Sequence, residues 1–331
     1  MIKLGLIGCG YWGKNHLRTL REMEGVNLAY VCDSQDLPLK LPENIKHVKE
    51  YIQILADSSI EGVVIATPTN THYAVARDFL NAKKHVFVEK PLATNVRDAQ
   101  TLCSLAETNN IHIMVGEIFR FNPAISFIKS LIDSGELGEL RYLESRRVGL
   151  GPVRNDVSAL WDLATHDIYI SNFLTGQEPV AVSSTGISHN GKLDDISSVS
   201  IRYENPGVLS TIYVNWEHPI KERMLIVGGT KKAVKFDDVQ PSEKVAIFER
   251  AVDYHPNSGD FGEFQSSIRS GSILIPQIKI KQPLEEELKN FVGAISGSES
   301  CLSTGYLGLQ TVKVLEAAEE SRKNKSQEII L

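Results

Sequence analysis

From the start of the chain to about residue 118, short runs of apolar, mostly β-branched residues alternate with segments whose apolar positions recur three and four residues apart. The runs predict strands at Lys3 to Ile7, Asn27 to Cys32, Gly62 to Ala66, His85 to Glu89 and His112 to Gly116, with a weaker one at Ile45 to Val48. The periodic segments predict helices at Lys14 to Met23, Thr71 to Ala82 and Val96 to Thr108. In the second of these, Ala74, Val75, Phe79 and Ala82 line one stripe, as a helix with a single buried face requires. Strand alternating with helix is the pattern of βαβ units, so this half reads as α/β, a doubly wound parallel sheet.

The texture changes at Arg120-Phe121-Asn122-Pro123. Proline restricts the residue before it and suits a first helical turn, so a new helix is expected from Pro123 to Ser134, ended by Gly135. A domain boundary is placed here, dividing the chain into 1–120 and 121–331. Downstream the pattern predicts a strand at Leu140 to Val148, a helix at Trp161 to Leu174, and longer strands at about 182–188, 196–203, 207–216 and 222–229. Turns are marked by Asn205-Pro206-Gly207 and His218-Pro219. Such a succession predicts a second α/β domain built on a large, open, mostly antiparallel sheet. Alternation along Val208 to Trp216 is impure, so one face of that sheet is expected to be covered by a second copy of the chain, giving a homodimer or homotetramer. Helices at Leu284 to Ser296 and Gly305 to Ser321 follow, then a charged end expected to fray.

Composition narrows the class of partner. The 331 residues are 42% apolar and 23% charged, an ordinary globular balance in a chain long enough for about two domains. Against 35 Lys and Arg stand 41 Asp and Glu, a net charge of −6, so long-range electrostatics repel nucleic acid rather than recruit it. The basic residues come as short pairs (Lys83-Lys84, Arg146-Arg147, Lys231-Lys232), never as a stripe. Cys9, Cys32, Cys103 and Cys301 show no C-x-x-C spacing, so neither a metal centre nor a disulfide framework is expected, and a reducing cytoplasm is the expected compartment. No apolar run approaches a membrane span, and the immediate first strand leaves no room for a signal peptide.

Gly8-Cys9-Gly10-Tyr11-Trp12-Gly13 is a G-x-G-x-x-G turn between a predicted strand and a predicted helix. The first glycine permits the tight turn, the second lets backbone N–H groups approach a pyrophosphate, and the third lets helix and strand pack closely. The N-terminus of the helix that follows favours an anion, and Tyr11 and Trp12 within the turn are candidate cofactor-binding residues. Asp33 lies 20 residues after Gly13 at the end of the second strand, where a carboxylate accepts hydrogen bonds from adenosine ribose hydroxyls. A 2′-phosphate there would meet like-charge repulsion, and Ser34-Gln35-Asp36 offers no cation, so NAD is expected rather than NADP.

Three further segments follow predicted strands, where such sheets bind ligands: Thr67-Pro68-Thr69-Asn70-Thr71-His72, Glu89-Lys90-Pro91 and the approach to Arg120. The Lys90 ammonium suits a reacting hydroxyl, whose developing negative charge it offsets; the plain alternative is an ion pair with Glu89. Asp162-Leu-Ala-Thr-His166 sets a carboxylate and an imidazole four residues apart, on one face of a helix, so that one orients the other. The same spacing also serves as a cap or a surface pair. His16, His47 and His112 carry only a structural reading.

In combination these stretches resemble the Gfo/Idh/MocA oxidoreductases, named for glucose-fructose oxidoreductase and inositol dehydrogenase. G-C-G-Y-W-G, T-P-T-N-T-H, E-K-P, R-F-N-P and D-L-A-T-H-D appear in the family's order. The likeness runs over essentially the whole chain, including Gly228 to Asp238 and the C-terminal helix. The resemblance implies a Rossmann domain followed by an open-sheet α/β domain, with the nicotinamide between them. It implies Lys90, Asp162 and His166 as the catalytic group, and Thr67, Pro68, Asn70, His72, Glu89 and Lys90 along the cofactor site. Family members usually carry glycines before the D-x-x-x-H helix, where this chain has Asp156-Val-Ser-Ala-Leu-Trp161. Within the family, Arg147 to Arg154, W-D-L-A-T-H-D and Ile268 to Pro276 look most like the sugar-nucleotide 3-dehydrogenases, which oxidise UDP-N-acetylglucosamine or its uronate.

The expected reaction has His166 taking the proton of a ring hydroxyl while hydride leaves the same carbon for C4 of NAD. Asp162 holds the imidazole and Lys90 hydrogen-bonds the reacting oxygen. Guanidinium binds phosphate bidentately, so Arg120, Arg147, Arg154 and Arg269 are candidate partners for a substrate diphosphate, and Asn122 for a sugar hydroxyl or acyl group. One alternative is the same chemistry on a free polyol or sugar (inositol, glucose or a dihydrodiol). Another is a non-catalytic NAD-binding regulatory protein, against which the presence of both Lys90 and His166 speaks.

Overall fold

The computed structural model describes residues 1–37, 40–151, 153–189, 191, 193–254, 266–279 and 281–331. Its first part runs β1 (Ile2–Ile7), α1 (Tyr11–Glu22), β2 (Val26–Cys32), β3 (Lys46–Val48), α2 (Ile52–Ala56), β4 (Gly62–Ile65), α3 (His72–Asn81), β5 (His85–Glu89), α4 (Val96–Asn109) and β6 (Ile113–Gly116). These six strands pair in parallel in the order β3-β2-β1-β4-β5-β6. Strand order therefore reverses between β1 and β4, and the crevice beyond their carboxyl ends is where open α/β sheets bind ligands. Both faces of the central strands are covered, which is why Val63, Val64 and Ile65, or Val86, Phe87 and Val88, read as continuous apolar runs and are all buried. The α1 helix buries Gly13, His16, Leu17 and Leu20, three and four apart. At the start of α4 the Asn95 side chain accepts a 2.8 Å hydrogen bond from the Asp98 N–H, and Asn110 closes the helix in the left-handed conformation.

The rest runs α5 (Pro123–Asp133), β7 (Leu140–Val148), α6 (Thr165–Thr175), β8 (Ala181–Ile187), β9 (Ile196–Tyr203), β10 (Val208–Asn215), β11 (Glu222–Gly229), β12 (Ala233–Asp237) and β13 (Val245–Phe248). Then follow β14 (Ala251–Tyr254), β15 (Ser266–Arg269), β16 (Ile273–Leu274), α7 (Pro283–Ser296), α8 (Gly305–Lys323) and β17 (Ile329–Ile330). Nine of these strands form one sheet in the order β16-β13-β12-β11-β7-β10-β9-β8-β17, and β14 pairs with β15 in a separate ribbon. Neighbours in the large sheet are antiparallel except β7 and β10, which run parallel. On its more open face Leu209 and Tyr142 stand side by side, 48% and 43% exposed.

Contacts divide the chain into two units, Met1–Asn122 with Lys281–Glu316, and Pro123–Ile280 with Ala317–Leu331. The sequence pattern places everything after residue 120 together, because the periodicity of α7 shows that it has a buried face but not which sheet receives it. In the structure Leu288 and Phe291 join the core of the first unit, with the Phe291 ring 5.8 Å from that of Phe87. Two other expectations are corrected. The helix expected from Trp161 opens with a π-helical turn at Leu160–Ala164 before α6 begins. The charged end does not fray: Ile329 and Ile330 pair with β8, and the Arg202 guanidinium reaches Glu328 at 3.2 and 3.3 Å.

Candidate active site

In the first unit the glycine turn leaves β1 at the reversal point. Gly8 has φ +88°, and a Cβ there would lie 2.5 Å from the Ala66 carbonyl oxygen; a Cβ on Gly13 would lie 2.1 Å from the Gly8 carbonyl oxygen. These two glycines let β1, β4 and α1 touch through backbone. Gly10 differs, since a Cβ there would meet nothing within 4 Å. The α1 helix starts directly after Gly10 with no side-chain cap and no acidic residue in its first turn, so helix bonding leaves its leading N–H groups free for an anion. Asp33 closes the other side of the turn, Oδ2 accepting the Cys9 N–H at 2.7 Å and Oδ1 the Gln35 N–H at 2.9 Å. Tyr11, 83% exposed, stands edge-on to Trp12 at 6.1 Å. An open cradle, an uncapped helix N-terminus and a carboxylate at the next strand end together fit a dinucleotide.

The loop after β4 makes a 3-10 turn at Thr69–Thr71, with the Thr71 hydroxyl 2.7 Å from both the Thr67 hydroxyl and the Pro68 carbonyl oxygen. Pro68 and Asn70 are exposed and Thr67 half-buried. His72 is buried, its Nδ1 2.8 Å from the Pro91 carbonyl oxygen and its Nε2 3.0 Å from that of Thr67. The ring ties the β4 loop to the β5 loop. Lys90, half-buried, precedes Pro91 in that second loop.

Glu89 is likewise turned inward. Its Oε1 lies 2.6 Å from Nε2 of His16, a residue with no solvent exposure, 73 positions away in the chain. The His16 ring meets Phe87 edge-on at 5.4 Å, and Phe87 meets Phe291 of α7. One turn before Phe291 stands Glu287, 1% exposed. Burial, reinforced by the charges of Glu89 and Glu117, raises its pKa well above the ordinary carboxyl value. Because the folded state holds this proton more tightly than the unfolded chain, its contribution to stability is complete below the unfolded value, about 4.3, and is lost as pH rises toward the folded value. Glu287→Gln, neutral at every pH, should therefore match the parent's Tm at pH 4 and exceed it by at least ~2 °C at pH 8. A scanning-calorimetry difference that is flat with pH contradicts this.

In the second unit, Asp162 lies in the π-helical turn and His166 in the first turn of α6. Such turns widen a helix locally and recur at functional sites. Asp162 Oδ1 accepts a 3.2 Å hydrogen bond from Arg154 Nη1, and Oδ2 one of 3.3 Å from Trp216 Nε1. The candidate phosphate-binding arginines of this unit are already on carboxylates. Arg147, 6% exposed, forks onto Asp167 at 2.7 and 3.1 Å, because Ser145 and Arg147 share the inward face of β7 and a guanidinium buried there needs an anion. Arg154 holds Asp156 as well as Asp162, and Arg269 holds Asp253 across the β14–β15 ribbon. Pro152, within the Arg147 to Arg154 stretch, lies outside the described residues. Arg120 and Asn122 sit in the first unit, in and just after the 3-10 turn Ile118–Phe121 that follows β6. The structure thus gathers the glycine turn, Asp33, the β4 loop and Lys90 along one sheet edge, and Asp162, Arg154 and Trp216 around one carboxylate. His16, Glu287 and Trp216 carried no sequence signal beyond their apolar surroundings.

Residues 2–117 match a family model described as the Gfo/Idh/MocA oxidoreductase family, NAD-binding Rossmann fold, and residues 125–235 match the corresponding C-terminal domain. Inositol 2-dehydrogenase of Rhizobium meliloti is 25% identical over 340 residues, 98% of each chain. UDP-N-acetylglucosamine 3-dehydrogenase of Acidithiobacillus ferrooxidans is 29% identical over 195 residues, 56% of this chain and 58% of that one. The solved structure of the latter enzyme superposes with a TM-score of 0.80 at 22% identity, covering 98% of this chain and 99% of that one, a likeness of fold.

Proposed function

The chain belongs to the Gfo/Idh/MocA family of NAD-binding sugar and polyol oxidoreductases, and from that premise we propose that it oxidises a ring hydroxyl of a nucleotide sugar, C3 of UDP-N-acetylglucosamine or a close relative, to a ketone. The observation that carries the redox part of this reading is the open Gly10 cradle beside an uncapped helix N-terminus and Asp33. Asp33 leaves no place for a 2′-phosphate, which favours NAD. Bound there, NAD supplies the hydride acceptor. The chain's own residues do the rest: His166 removes the hydroxyl proton, Asp162 fixes the imidazole's orientation, and the Lys90 ammonium hydrogen-bonds the oxygen as it becomes a carbonyl.

A free polyol or sugar is a second reading, favoured by a specific observation: Arg147, Arg154 and Arg269 already neutralise Asp167, Asp156 with Asp162, and Asp253. NADH absorbance after mixing with NAD and UDP-N-acetylglucosamine, its uronate, myo-inositol or glucose separates the two, with calorimetry of UDP alone as the second arm. Reduction of NAD by a UDP-sugar together with UDP binding is the expected result. UDP that fails to bind, with turnover of a free ring alcohol, moves the assignment to the polyol. No NADH from any member of the panel overturns it.

A further inference from the structure

Arg154 sits on the segment that leads from β7 into the π-helical turn, and it makes two different kinds of contact. Nε and Nη2 fork onto the two oxygens of Asp156, at 2.9 and 2.5 Å, two residues away. Nη1 extends to Oδ1 of Asp162, eight residues on, at 3.2 Å. A bidentate guanidinium–carboxylate pair fixes the plane of the guanidinium. The third contact passes that orientation to Asp162.

The opposite oxygen of Asp162 is held from a rigid wall. Trp216 is 3% exposed, its backbone N–H donates to the Asp195 carbonyl at 3.0 Å, and its indole N–H reaches Asp162 Oδ2 at 3.3 Å. The start of the turn is anchored as well, the Ala159 N–H donating to the Asp194 carbonyl at 2.8 Å and the Asp162 N–H to that of Ser158 at 2.9 Å. One carboxylate oxygen is therefore fixed by the sheet side through Trp216 and the other by the loop side through Arg154. A carboxylate gripped at both oxygens cannot swing about its Cβ–Cγ bond, which is what orienting an imidazole four residues later demands.

We propose that Arg154 is a positioning residue that acts through Asp162, with Asp156 as its anchor and Trp216 as the opposing jaw, and that it is not a cation reserved for substrate phosphate. The proposal rests on the reading of Asp162 and His166 as catalytic, and it predicts a split between kinetic constants. Arg154→Ala lowers kcat by ~10- to 100-fold, the scale of a catalytic group displaced by about an ångström, while KM for the sugar stays within about threefold. Arg154→Lys, which keeps a donor but not the fork, recovers part of the loss. Asp156→Ala, which removes the anchor alone, moves kcat in the same direction by less.

A signal independent of turnover separates this inference from the choice of substrate. The indole N–H proton of Trp216, assigned by its disappearance in Trp216→Phe, reports its hydrogen bond to Asp162 by NMR. It shifts in Arg154→Ala toward the position seen in Asp162→Ala, and Arg154→Lys brings it part of the way back. An unmoved indole resonance, or a tenfold rise in KM with kcat unchanged, overturns the proposal. If the parent protein reduces no NAD with any sugar while the resonance moves as expected, the assigned reaction fails and the Arg154–Asp162–Trp216 clamp stands.

Discussion

Replacing His166 by alanine is expected to slow NAD reduction by ~10²- to 10⁴-fold, the range that a positioned general base contributes, with the Kd for NAD within about twofold of the parent. The separation is expected because the dinucleotide cradle lies wholly in the first unit, at Gly8 to Gly13 and Asp33, whereas His166 opens α6 in the second. His166 is only partly buried, so alanine leaves no large cavity and the melting temperature should barely move. Lys90→Met should lower kcat on a similar scale. The double variant is the informative one. Groups that act on one reacting oxygen are strongly non-additive, so Lys90→Met with His166→Ala should be little slower than the worse single variant. If the two losses simply multiply, Lys90 and His166 do not serve the same step.

The parts of this molecule that can be read from its sequence are those whose physics is local. The six strands up to β6 and the helices α1, α3 and α4 follow from runs of Val and Ile and from apolar spacing, and β5, β7, β9 and β11 fall where the pattern puts them; the five-residue α2 is too short to show a period and is not predicted. The apolar pattern starts α1 three residues late for a physical reason: the helix begins without a capping side chain, and its first residues, Tyr11 and Trp12, are exposed rather than part of the apolar stripe. What cannot be read is who meets whom. His16 is one position on the buried face of α1, and nothing in its neighbourhood announces a carboxylate 73 residues away. The arginines show the same limit more sharply, since a guanidinium that suits a phosphate suits an aspartate equally well. Only Arg147 carries a usable hint, because period-two alternation along β7 puts it on the inward face with Leu143 and Ser145, where a buried charge requires a partner such as Asp167. The return of α7 to the first sheet and the docking of β17 on β8 are long-range choices of the same kind.

The glycine turn offers the sharpest separation of folding from binding. Gly13→Ala would bring a methyl to 2.1 Å from the Gly8 carbonyl oxygen and 2.8 Å from its carbon, both backbone atoms that cannot rotate aside. Gly8 cannot yield in turn, because it is itself wedged against Ala66 at φ +88°. Helix α1 must move off β1, a strain of about 1–3 kcal/mol, so the expected result is a Tm lower by roughly 2–12 °C together with the loss of NAD binding. Gly10→Ala has the opposite profile. A methyl there meets nothing within 4 Å, so the protein should melt within about 1 °C of the parent. The same methyl projects into the space that the pyrophosphate needs against the first N–H groups of α1, so the Kd for NAD should rise at least tenfold, about 1.4 kcal/mol. Thermal melts with and without NAD, run on both variants, read the two effects separately. A Gly10→Ala protein that binds NAD as tightly as the parent would remove the cradle from the cofactor site, whatever became of Gly13.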